Sequence, residues 1–437
     1  MTDHRPAGGG NARNIALLIL HQILRGRRRF EQCAPRLVAP LAERDRQFVR
    51  LLVLTTLRRL GEIDHIVGSY LERPLKAPVA RDLLRLGAAQ SLYLQTPAYA
   101  VVDTMVGLAG RIPEARPYKN LVNAVLRRIA TATPEDMRAR IPSGAVGLPD
   151  WMWKSWVASY GLERASRIAL SHLQEPPLDI TARATPEVWA QRLNARLMPM
   201  GSLRRMPHQD HISRIADLPY FHEGSWWVQD LAASLPVKLM GGLQGQRVLD
   251  LCAAPGGKTL QLASGGAQVT ALERSRPRLS LLEENLARTR LTAQTILADA
   301  VFWKASQPFD AVLLDAPCSA TGTLRRHPDV AWIRQKEELP GLTGSQDQLL
   351  DAAARQVRPG GMLVYCVCSL QHQEGEDRVA AFLARTPGWA RRPVAQAELP
   401  GLEMAVTPAG DVRTLPFYLS EQGGLDGFYI ARLGLHA

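Results

Sequence analysis

Five short apolar runs in the second half of the chain constrain its fold more than any other feature. The runs are rich in Val, Leu and Ile and span residues 247–252, 268–273, 294–299, 309–315 and 362–368. Helical patterns at residues 258–263 and 278–290 separate the earlier runs. Strands that alternate with helices form a parallel sheet with right-handed crossovers. We therefore predict an α/β domain at residues 241–437, with late strands at residues 405–407 and 428–433.

The first part of the chain carries a pattern typical of helices. Apolar residues recur three and four positions apart in the segments 16–24, 48–60, 79–94 and 121–129. Arginines fall between them, on the other helix faces. We predict an all-helical domain at residues 1–140. Residues 141–240 give a mixed signal with one strand-like run at 178–182, which indicates a linker and a small α/β module.

Composition narrows the class of partner and the compartment. The 437 residues carry a formal net charge of +12, and residues 1–60 alone hold twelve arginines against four acidic residues. This excess favours a polyanionic partner such as nucleic acid, although a basic surface that only contacts solvent would have the same composition. Five cysteines and no secretory pattern indicate free thiols in the cytoplasm. No run reaches the about 20 apolar residues of a membrane helix, so no membrane association is expected.

The loop after the first predicted strand has the composition of a ligand-binding loop. Residues 249–259 read Leu-Asp-Leu-Cys-Ala-Ala-Pro-Gly-Gly-Lys-Thr. Small residues and two glycines let a ligand approach the backbone, and the N–H groups of a helix that begins at Lys258 can hold an anionic group. A phosphate-binding P-loop would need glycine at the position of Cys252, so that template fails. The glycines also do not follow the order of a nicotinamide-binding loop.

Acidic residues lie at or near the ends of four predicted strands. They are Asp250, Glu273, Asp299 and Asp315. The carboxyl ends of parallel strands meet at one edge of a sheet, where ligands bind. Glu273 lies 23 residues after Asp250, where an acid can accept hydrogen bonds from both hydroxyls of a ribose. Taken together, the four acids favour a nucleoside-type ligand.

Two cysteines end neighbouring strands at the same predicted edge. Cys318 follows the fourth strand in the run 315–322, and Cys368 closes the fifth in the run 365–369. Cys366 lies two residues before Cys368 and is interpreted as a buried apolar filler. Neither the number nor the spacing of these cysteines fits a structural zinc site, so no metal is predicted. A disulfide is the other alternative, and a reducing compartment argues against it.

A cysteine at such an edge is suited to covalent catalysis, and the methylation of carbon 5 of cytosine is a reaction that needs one. Carbon 5 of cytosine is a poor nucleophile, but a thiolate that adds to carbon 6 activates it toward a methyl sulfonium. A base then removes the proton on carbon 5, and the thiolate leaves. An acid near nitrogen 3 would stabilise the adduct, and Asp315 is the candidate. Lys258 is a candidate for the cation that lowers the pKa of the attacking thiol.

These motifs resemble the bacterial 16S ribosomal RNA cytosine-5 methyltransferases of the Sun/Fmu type. The run 249–259 resembles the cofactor motif of that family, the run 315–329 its proline–cysteine motif, and the run 365–369 its second cysteine motif. Residues 84–94 and 119–128 resemble the NusB-like RNA-binding module that is fused to it. The resemblance implies a Rossmann-like class I methyltransferase sheet after a NusB-like domain. It further implies S-adenosyl-L-methionine as cofactor and 16S ribosomal RNA, free or in an assembling small subunit, as partner.

The resemblance also implies roles for single residues. Cys368 is similar to the nucleophile of the family, and Cys318 to the residue that assists product release. With Asp315 they are the predicted catalytic residues. The family's cofactor contacts fall on ten positions of this chain: Cys252, Ala253, Ala254, Pro255, Gly256, Gly257, Lys258, Glu273, Asp299 and Asp315. One departure is the sequence His-Gln-Glu-Gly at residues 372–375, where the family usually has Pro-Glu-Glu-Asn.

Other functions share parts of this pattern. A non-catalytic RNA-binding assembly factor would explain the basic helical domain, but it has no need of the strand-end acids and cysteines. A transfer RNA cytosine-5 methyltransferase would use the same chemistry on another RNA. DNA cytosine methyltransferases attack from the proline–cysteine position, which would exchange the roles of Cys318 and Cys368. A monomer is the expected oligomeric state.

Overall fold

The computed structural model describes residues 8–133, 136, 140, 147–206 and 214–436. They form two compact units. The first consists of the described residues up to Leu173 together with Leu324–Gln335, and the second of Gln174–Thr323 and the described residues from Lys336 onward. The division into three domains at residues 140 and 240 stays a prediction.

The first unit is helical. Its helices in chain order are α1 (Gly8–Leu24), α2 (Phe30–Val38), α3 (Glu43–Arg58), α4 (Leu60–Ser69), α5 (Pro78–Leu92), α6 (Ala98–Arg111), α7 (Lys119–Thr131) and α8 (Asp150–His172). The four predicted helical segments are confirmed: 16–24 and 121–129 lie within α1 and α7, 48–60 covers the end of α3 and the first residue of α4, and 79–94 runs two residues past the end of α5. α8 is interrupted at Gly161, where φ is +77°. None of the helices in the described parts of the chain is long and apolar enough to cross a membrane.

α5 lies at the centre of this unit. Nearly all its residues from Ala80 to Gln90 are buried, including Leu83 and Leu84. Arg85 is buried with them, and its guanidinium binds Asp64 at 2.5 Å and Asp82 at 2.8 Å. A buried charge is tolerated when it is paired in this way. The helix that the apolar spacing predicts here is therefore buried on nearly all its faces, in the core of the first unit.

A segment from later in the chain completes the first unit. Within Leu324–Gln335, the carboxylate of Asp329 accepts a hydrogen bond from the N–H of Phe30 at 3.1 Å. The indole of Trp332 donates to the carbonyl of Leu57 at 2.9 Å. The end of the run that resembles the proline–cysteine motif therefore packs with α2 and α3.

The second unit begins with a small α/β module. Its elements are β1 (Leu178–Ala182), α9 (Pro186–Arg192), β2 (Arg196–Leu197), β3 (Leu203–Arg205), β4 (Trp226–Val228) and the following α10 (Leu231–Lys238). The strands form an antiparallel sheet in the order β2-β3-β1-β4. On one face Ile180, Leu203 and Trp226 form a core. On the other, Asp179 and Arg204 form a fully buried ion pair at 2.6 Å, and Asp179 also accepts the N–H of Leu231.

The larger sheet follows. Its strands and the helices around them are β5 (Arg247–Leu251), α11 (Gly257–Ser264), β6 (Gln268–Glu273), α12 (Arg276–Thr289), β7 (Gln294–Leu297), β8 (Phe309–Asp315), α13 (Asp329–Ile333, part of the first unit), α14 (Leu339–Ala354), β9 (Val357–Val367), α15 (Glu376–Arg385), β10 (Trp389–Arg391), β11 (Val412–Arg413) and β12 (Tyr429–Leu435). In the described residues the order is β10-β12-β9-β8-β5-β6-β7, with β11 paired to β12.

Strands β5 to β9 pair in parallel, as predicted. β12 pairs antiparallel with β9, and β10 and β11 pair antiparallel with β12, so the sheet is mixed. The strand predicted at residues 405–407 is wrong. Glu403–Ala405 form a single 3-10 turn, and only Val406 makes an isolated bridge, to Val412. The chain makes a tight turn there instead of a strand. The N–H of Thr407 donates to the carbonyl of Asp411, and Pro408 has no N–H that could extend the pairing.

Candidate active site

The loops after the parallel strands gather at the carboxyl edge of the sheet. In the pairing of β8 with β9, Asp315 lies opposite Cys366. The N–H of Ala316 donates to the carbonyl of Cys366, and that of Gly322 to the carbonyl of Cys368, each at 3.0 Å. The two cysteine-containing loops are therefore adjacent, as the strand-end pattern predicts.

The loop from β5 to α11 is held in a conformation that requires small residues. It contains five of the predicted cofactor positions, Cys252, Ala253, Ala254, Pro255 and Gly256, and the sixth, Gly257, begins α11. Gly256 has φ +110°, and a Cβ there would lie 2.5 Å from the side chain of Leu282. Glycine alone meets both conditions. Two side chains of α12 hold the loop. Arg278 donates to the carbonyl of Ala254, and Asn285 donates to that of Pro255 at 3.1 Å.

A cavity of about 180 Å³ opens beside this loop. Three predicted cofactor residues line it, namely Cys252, Glu273 and Asp299. The other lining residues are Leu272, Arg274, Arg278, Ala298, Ala300, Val301, Phe302, Pro317, Ser345, Gln348 and Leu349. The last three come from α14, which carries no signal of a ligand site in its sequence. Arg278 was also missed, although it lies in the first turns of the helix that follows Glu273.

Glu273 has the chemistry of a hydroxyl acceptor. Its side chain is almost fully buried, and Oε1 accepts the N–H of Ser275 at 3.0 Å. Oε2 lies 3.3 Å from Nη1 of Arg278 but has no hydrogen-bond partner among the described residues. A buried acceptor atom without a donor is costly unless a ligand supplies one. A ribose with two adjacent hydroxyls fits this requirement.

Lys258 and Asp315 contact each other next to the cysteines. Nζ of Lys258 lies 2.7 Å from Oδ2 of Asp315 and 5.4 Å from the ring centre of Phe428. Burial lowers the pKa of Lys258, but the charge of Asp315 and the nearby thiols Cys366 and Cys368 outweigh it and raise the pKa overall. Lys258 is therefore a fixed positive charge beside the thiols of Cys366 and Cys368.

The thiols of Cys318 and Cys368 lie 3.5 Å apart, but their surroundings differ. Cys318 is buried, whereas Cys368 is half-buried. The hydrogen bond to Cys368 and burial raise the pKa of Cys318 well above the ordinary thiol value. Cys318 is thus held as a neutral thiol, while Cys368 is the more accessible sulfur.

Cys366 and Cys252 are less suited to nucleophilic attack. Cys366 is fully buried in the core, as predicted for a filler, and its Sγ lies 3.5 Å from Oδ1 of Asp315. Burial and the charge of Asp315 raise its pKa. Burial also raises the pKa of Cys252 to about 12, helped by Asp315 and Glu273. Since the thiolate is the reactive form, these two cysteines are inert at neutral pH.

Comparison with known proteins identifies the family of this site. The family model described as 16S rRNA methyltransferase RsmB/F matches residues 238–434, and that of the NusB family matches residues 10–131. Ribosomal RNA small subunit methyltransferase B of Pseudomonas putida is 35% identical over 97% of this chain and 98% of its own length. The chain belongs to this RsmB family. The corresponding protein of Vibrio cholerae is 32% identical over 97% of each chain.

Solved structures share the fold. The crystal structure of PH0851 matches 99% of this chain and 100% of that one with a TM-score of 0.73 at 20% identity. That of NSun6 from Pyrococcus horikoshii with SFG matches 66% of this chain and 98% of that one with a TM-score of 0.56 at 17% identity. At these identities the likeness concerns the fold alone.

Membership of the RsmB family confirms three sequence predictions. The chain has a NusB domain followed by a Rossmann-like methyltransferase sheet. It is a methyltransferase of the RsmB/F type, and its cofactor is S-adenosyl-L-methionine, the group that the Glu273 cavity and the Gly256 loop fit.

Proposed function

We propose that this protein methylates carbon 5 of a cytosine in 16S ribosomal RNA, in the cytoplasm, through a covalent adduct between Cys368 and carbon 6 of the base. The observation that carries the proposal is the pair of thiols at Cys318 and Cys368, 3.5 Å apart beside the Lys258–Asp315 ion pair. A methyltransferase that acts on an already nucleophilic atom does not need a thiol at this position, whereas activation of a pyrimidine carbon needs a thiol as nucleophile.

The environments of the thiols support a division of labour. Cys368 is half-buried and lies close enough to Lys258 to interact with its charge. It is the more accessible of the two sulfurs, so Cys368 is suited to attack. Cys318 has a raised pKa and keeps its proton. It can therefore donate a hydrogen bond to the sulfur of Cys368 as the bond between carbon 6 and that sulfur breaks, while the proton on carbon 5 passes to a base other than this neutral thiol.

The remaining predicted residues support binding and orientation. S-adenosyl-L-methionine supplies the methyl group as an electrophilic sulfonium. Glu273, Asp299 and Cys252 line the cavity that would hold its nucleoside part. Asp315 lies beside Cys366 and is bound to Lys258, which fixes the orientation of its carboxyl group. Its proposed role is to contact nitrogen 3 of the base, while the positive charge of Lys258 beside it stabilises the charge that develops on the pyrimidine as the adduct forms.

The cysteine roles are tested by substituting each one. Cys368→Ala should abolish methyl transfer to 16S ribosomal RNA, because attack on carbon 6 is lost. Cys318→Ala should accumulate a covalent protein–RNA adduct, because attack proceeds and release stalls. Labelled-methyl transfer measures the first effect and denaturing gel electrophoresis the second. Cys33→Ala is the matched control, because it removes a thiol from the core of the first unit and should retain transfer.

The opposite pattern would contradict the assignment. An adduct that accumulates in Cys368→Ala and is absent from Cys318→Ala would exchange the two roles. Transfer into transfer RNA or DNA in preference to 16S ribosomal RNA would reject the substrate. Absence of heat on titration with S-adenosyl-L-methionine would favour a non-catalytic RNA-binding assembly factor.

A further inference from the structure

A buried carboxyl group lies behind the two cysteines. The side chain of Glu374 is fully buried. Among the described residues, four neutral groups donate to it: the N–H and hydroxyl of Ser319 at 2.8 and 2.5 Å, the hydroxyl of Ser369 at 2.5 Å, and the amide of Gln346 at 3.0 Å. Glu374 is therefore a buried carboxyl group that is held by donors from three segments of the chain.

These donors belong to the loops that carry the thiols. Ser319 directly follows Cys318, and Ser369 directly follows Cys368. Oε2 of Glu374 accepts both serine hydroxyls, so one oxygen atom bridges the two loops. The hydroxyl oxygens of the serines lie 3.1 Å from each other, and each lies within 3.3 Å of Oγ1 of Thr321.

The same anchor reaches the rest of the site. Gln346 on α14 donates both to Glu374 and to the carbonyl of Pro317, which precedes Cys318. The hydroxyl of Tyr365 donates to the carbonyl of Glu374 at 2.6 Å. Residues on both sides of Cys318, and the residue after Cys368, are therefore fixed relative to a single carboxyl group and the glutamine that donates to it.

We propose that Glu374 is a positioning residue that sets the distance and alignment of the two catalytic thiols. This inference rests on the proposed function, because the thiols need alignment only if both act on one pyrimidine. Without the carboxyl group, the two serine hydroxyls lose the acceptor that they share, and the alignment of Cys318 with Cys368 is held less tightly. After the hydrogen bond to Cys368 and burial, the charge on Glu374 is a further cause of the raised pKa of Cys318. The group thus also favours the protonated form of that thiol.

The alignment can be measured without any methyl transfer. Treatment with diamide joins neighbouring thiols: each thiol loses its hydrogen, an S–S bond forms, and diamide takes up the two hydrogens. In the wild-type chain, sulfurs 3.5 Å apart should form the Cys318–Cys368 disulfide rapidly. Alkylation of the remaining thiols and peptide mass spectrometry identify the pair at each time point.

The main variant is Glu374→Gln, which keeps the shape of the side chain but removes its charge. We expect the rate of Cys318–Cys368 disulfide formation to fall about tenfold. Ser369→Ala, which removes one donor and leaves the carboxylate in place, should give a smaller decrease. If Glu374→Gln does not fold, the disulfide rate of Ser369→Ala alone tests the inference. Glu398→Gln is the matched control. Glu398 lies in another part of the second unit, and its carboxylate accepts hydrogen bonds from the N–H of Ala395 and the guanidinium of Arg432.

Enzyme kinetics give the second readout. Glu374→Gln should lower kcat for methyl transfer at least tenfold and leave KM for 16S ribosomal RNA within about twofold of wild type, because alignment and not RNA binding is lost. Disulfide rates of Glu374→Gln and Ser369→Ala within twofold of the control would overturn the inference. Trapping requires neither RNA nor cofactor. A wild-type chain that transfers no methyl group to RNA would therefore reject the proposed function and leave the trapping result standing.

Discussion

At the scale of single residues, burial changes the acid–base behaviour of Asp250 more than any charge near it. The side chain is fully buried in β5, and Oδ2 accepts the hydroxyl of Thr259 at 2.6 Å. Oδ1 has no hydrogen-bond partner in the part of the chain that the structure describes. Burial raises the pKa of Asp250 from 3.8 to about 7, and the hydrogen bond from Thr259 only partly opposes it. Near neutral pH the native protein is thus poised between the two protonation states of this group.

A pH dependence of stability follows from Asp250. Between pH 4 and pH 7 the unfolded chain has lost the proton that the folded protein retains, so the folded state binds more protons. Stability should therefore fall as the pH rises through this window and stay level above it. At about 1.4 kcal/mol for each tenfold change in proton affinity, the decrease is about 4 kcal/mol. The measurement is denaturant unfolding of the wild type and of Asp250→Asn between pH 4.5 and pH 8.

The comparison with Asp250→Asn removes the contribution of other titrating groups. Asparagine does not ionise and can still accept the hydroxyl of Thr259. The stability difference between the two proteins should move in favour of Asp250→Asn as the pH rises. A difference that stays constant over the whole range would show that the burial of this carboxyl group carries no proton linkage.

At the scale of structural elements, the loop that carries Cys318 depends on a close approach of two backbones. The N–H of Gly427 donates to the carbonyl of Gly322 at 2.8 Å, and a Cβ at Gly322 would lie 1.9 Å from the carbonyl oxygen of Gly427. Gly322 also donates to the carbonyl of Cys368. A side chain at this position can be accommodated only if the backbone moves, and the Cys318 loop would move with it.

Gly322→Ala should therefore impair both folding and catalysis. Overpacking of this kind costs about 2 kcal/mol of stability, and we expect methyl transfer to fall at least tenfold. Gly341→Ala is the control, because a Cβ in α14 at that position meets nothing within 4 Å. It should raise the free energy of unfolding by about 0.5–1 kcal/mol through better helix propensity. Equal stability and activity of the two variants would contradict the close approach.

The elements also show which parts of the fold the sequence predicts. β5, β6 and β8 lie in the interior of the sheet, so their apolar runs give their positions to within about one residue. β9 begins five residues earlier than predicted, because Pro359, Gly360 and Gly361 look like a turn but continue the strand. The prediction fails altogether for a strand at residues 405–407, because the single bridge made by Val406 leaves no periodic pattern in the sequence.

The candidate site divides in the same way. Strand ends and the loops directly after them are local features, so Glu273, Asp299 and the two cysteines could be placed at one edge from sequence. Glu374 could not, because two of its donors, Ser319 and Gln346, come from segments 55 and 28 residues away and no periodicity relates them to it. Residues 372–375 depart from the family pattern at three of its four positions, but Glu374 keeps the glutamate at the third.

At the scale of the whole molecule, the excess positive charge has a defined location that can be tested. The net charge is +12, and residues 1–60 hold a surplus of eight arginines over acidic residues. Arg25, Arg27 and Arg28 are exposed in the connection between α1 and α2. Exposed arginines close together in sequence can contact successive phosphates and release the counterions bound to them.

Replacement of these three arginines by glutamine should flatten the salt dependence of RNA binding. Each phosphate contact contributes about 0.7–0.9 to the slope of log affinity against log salt concentration, so the slope should fall by about 2–3. The control is glutamine at Arg164, Arg167 and Arg355, which are exposed elsewhere. Both triple variants change the net charge from +12 to +9. If only the first variant flattens the slope, the arginines act by local phosphate contact. Equal slopes in both variants would assign the effect to total charge, and an unchanged slope in the first would remove this connection from the RNA-binding surface.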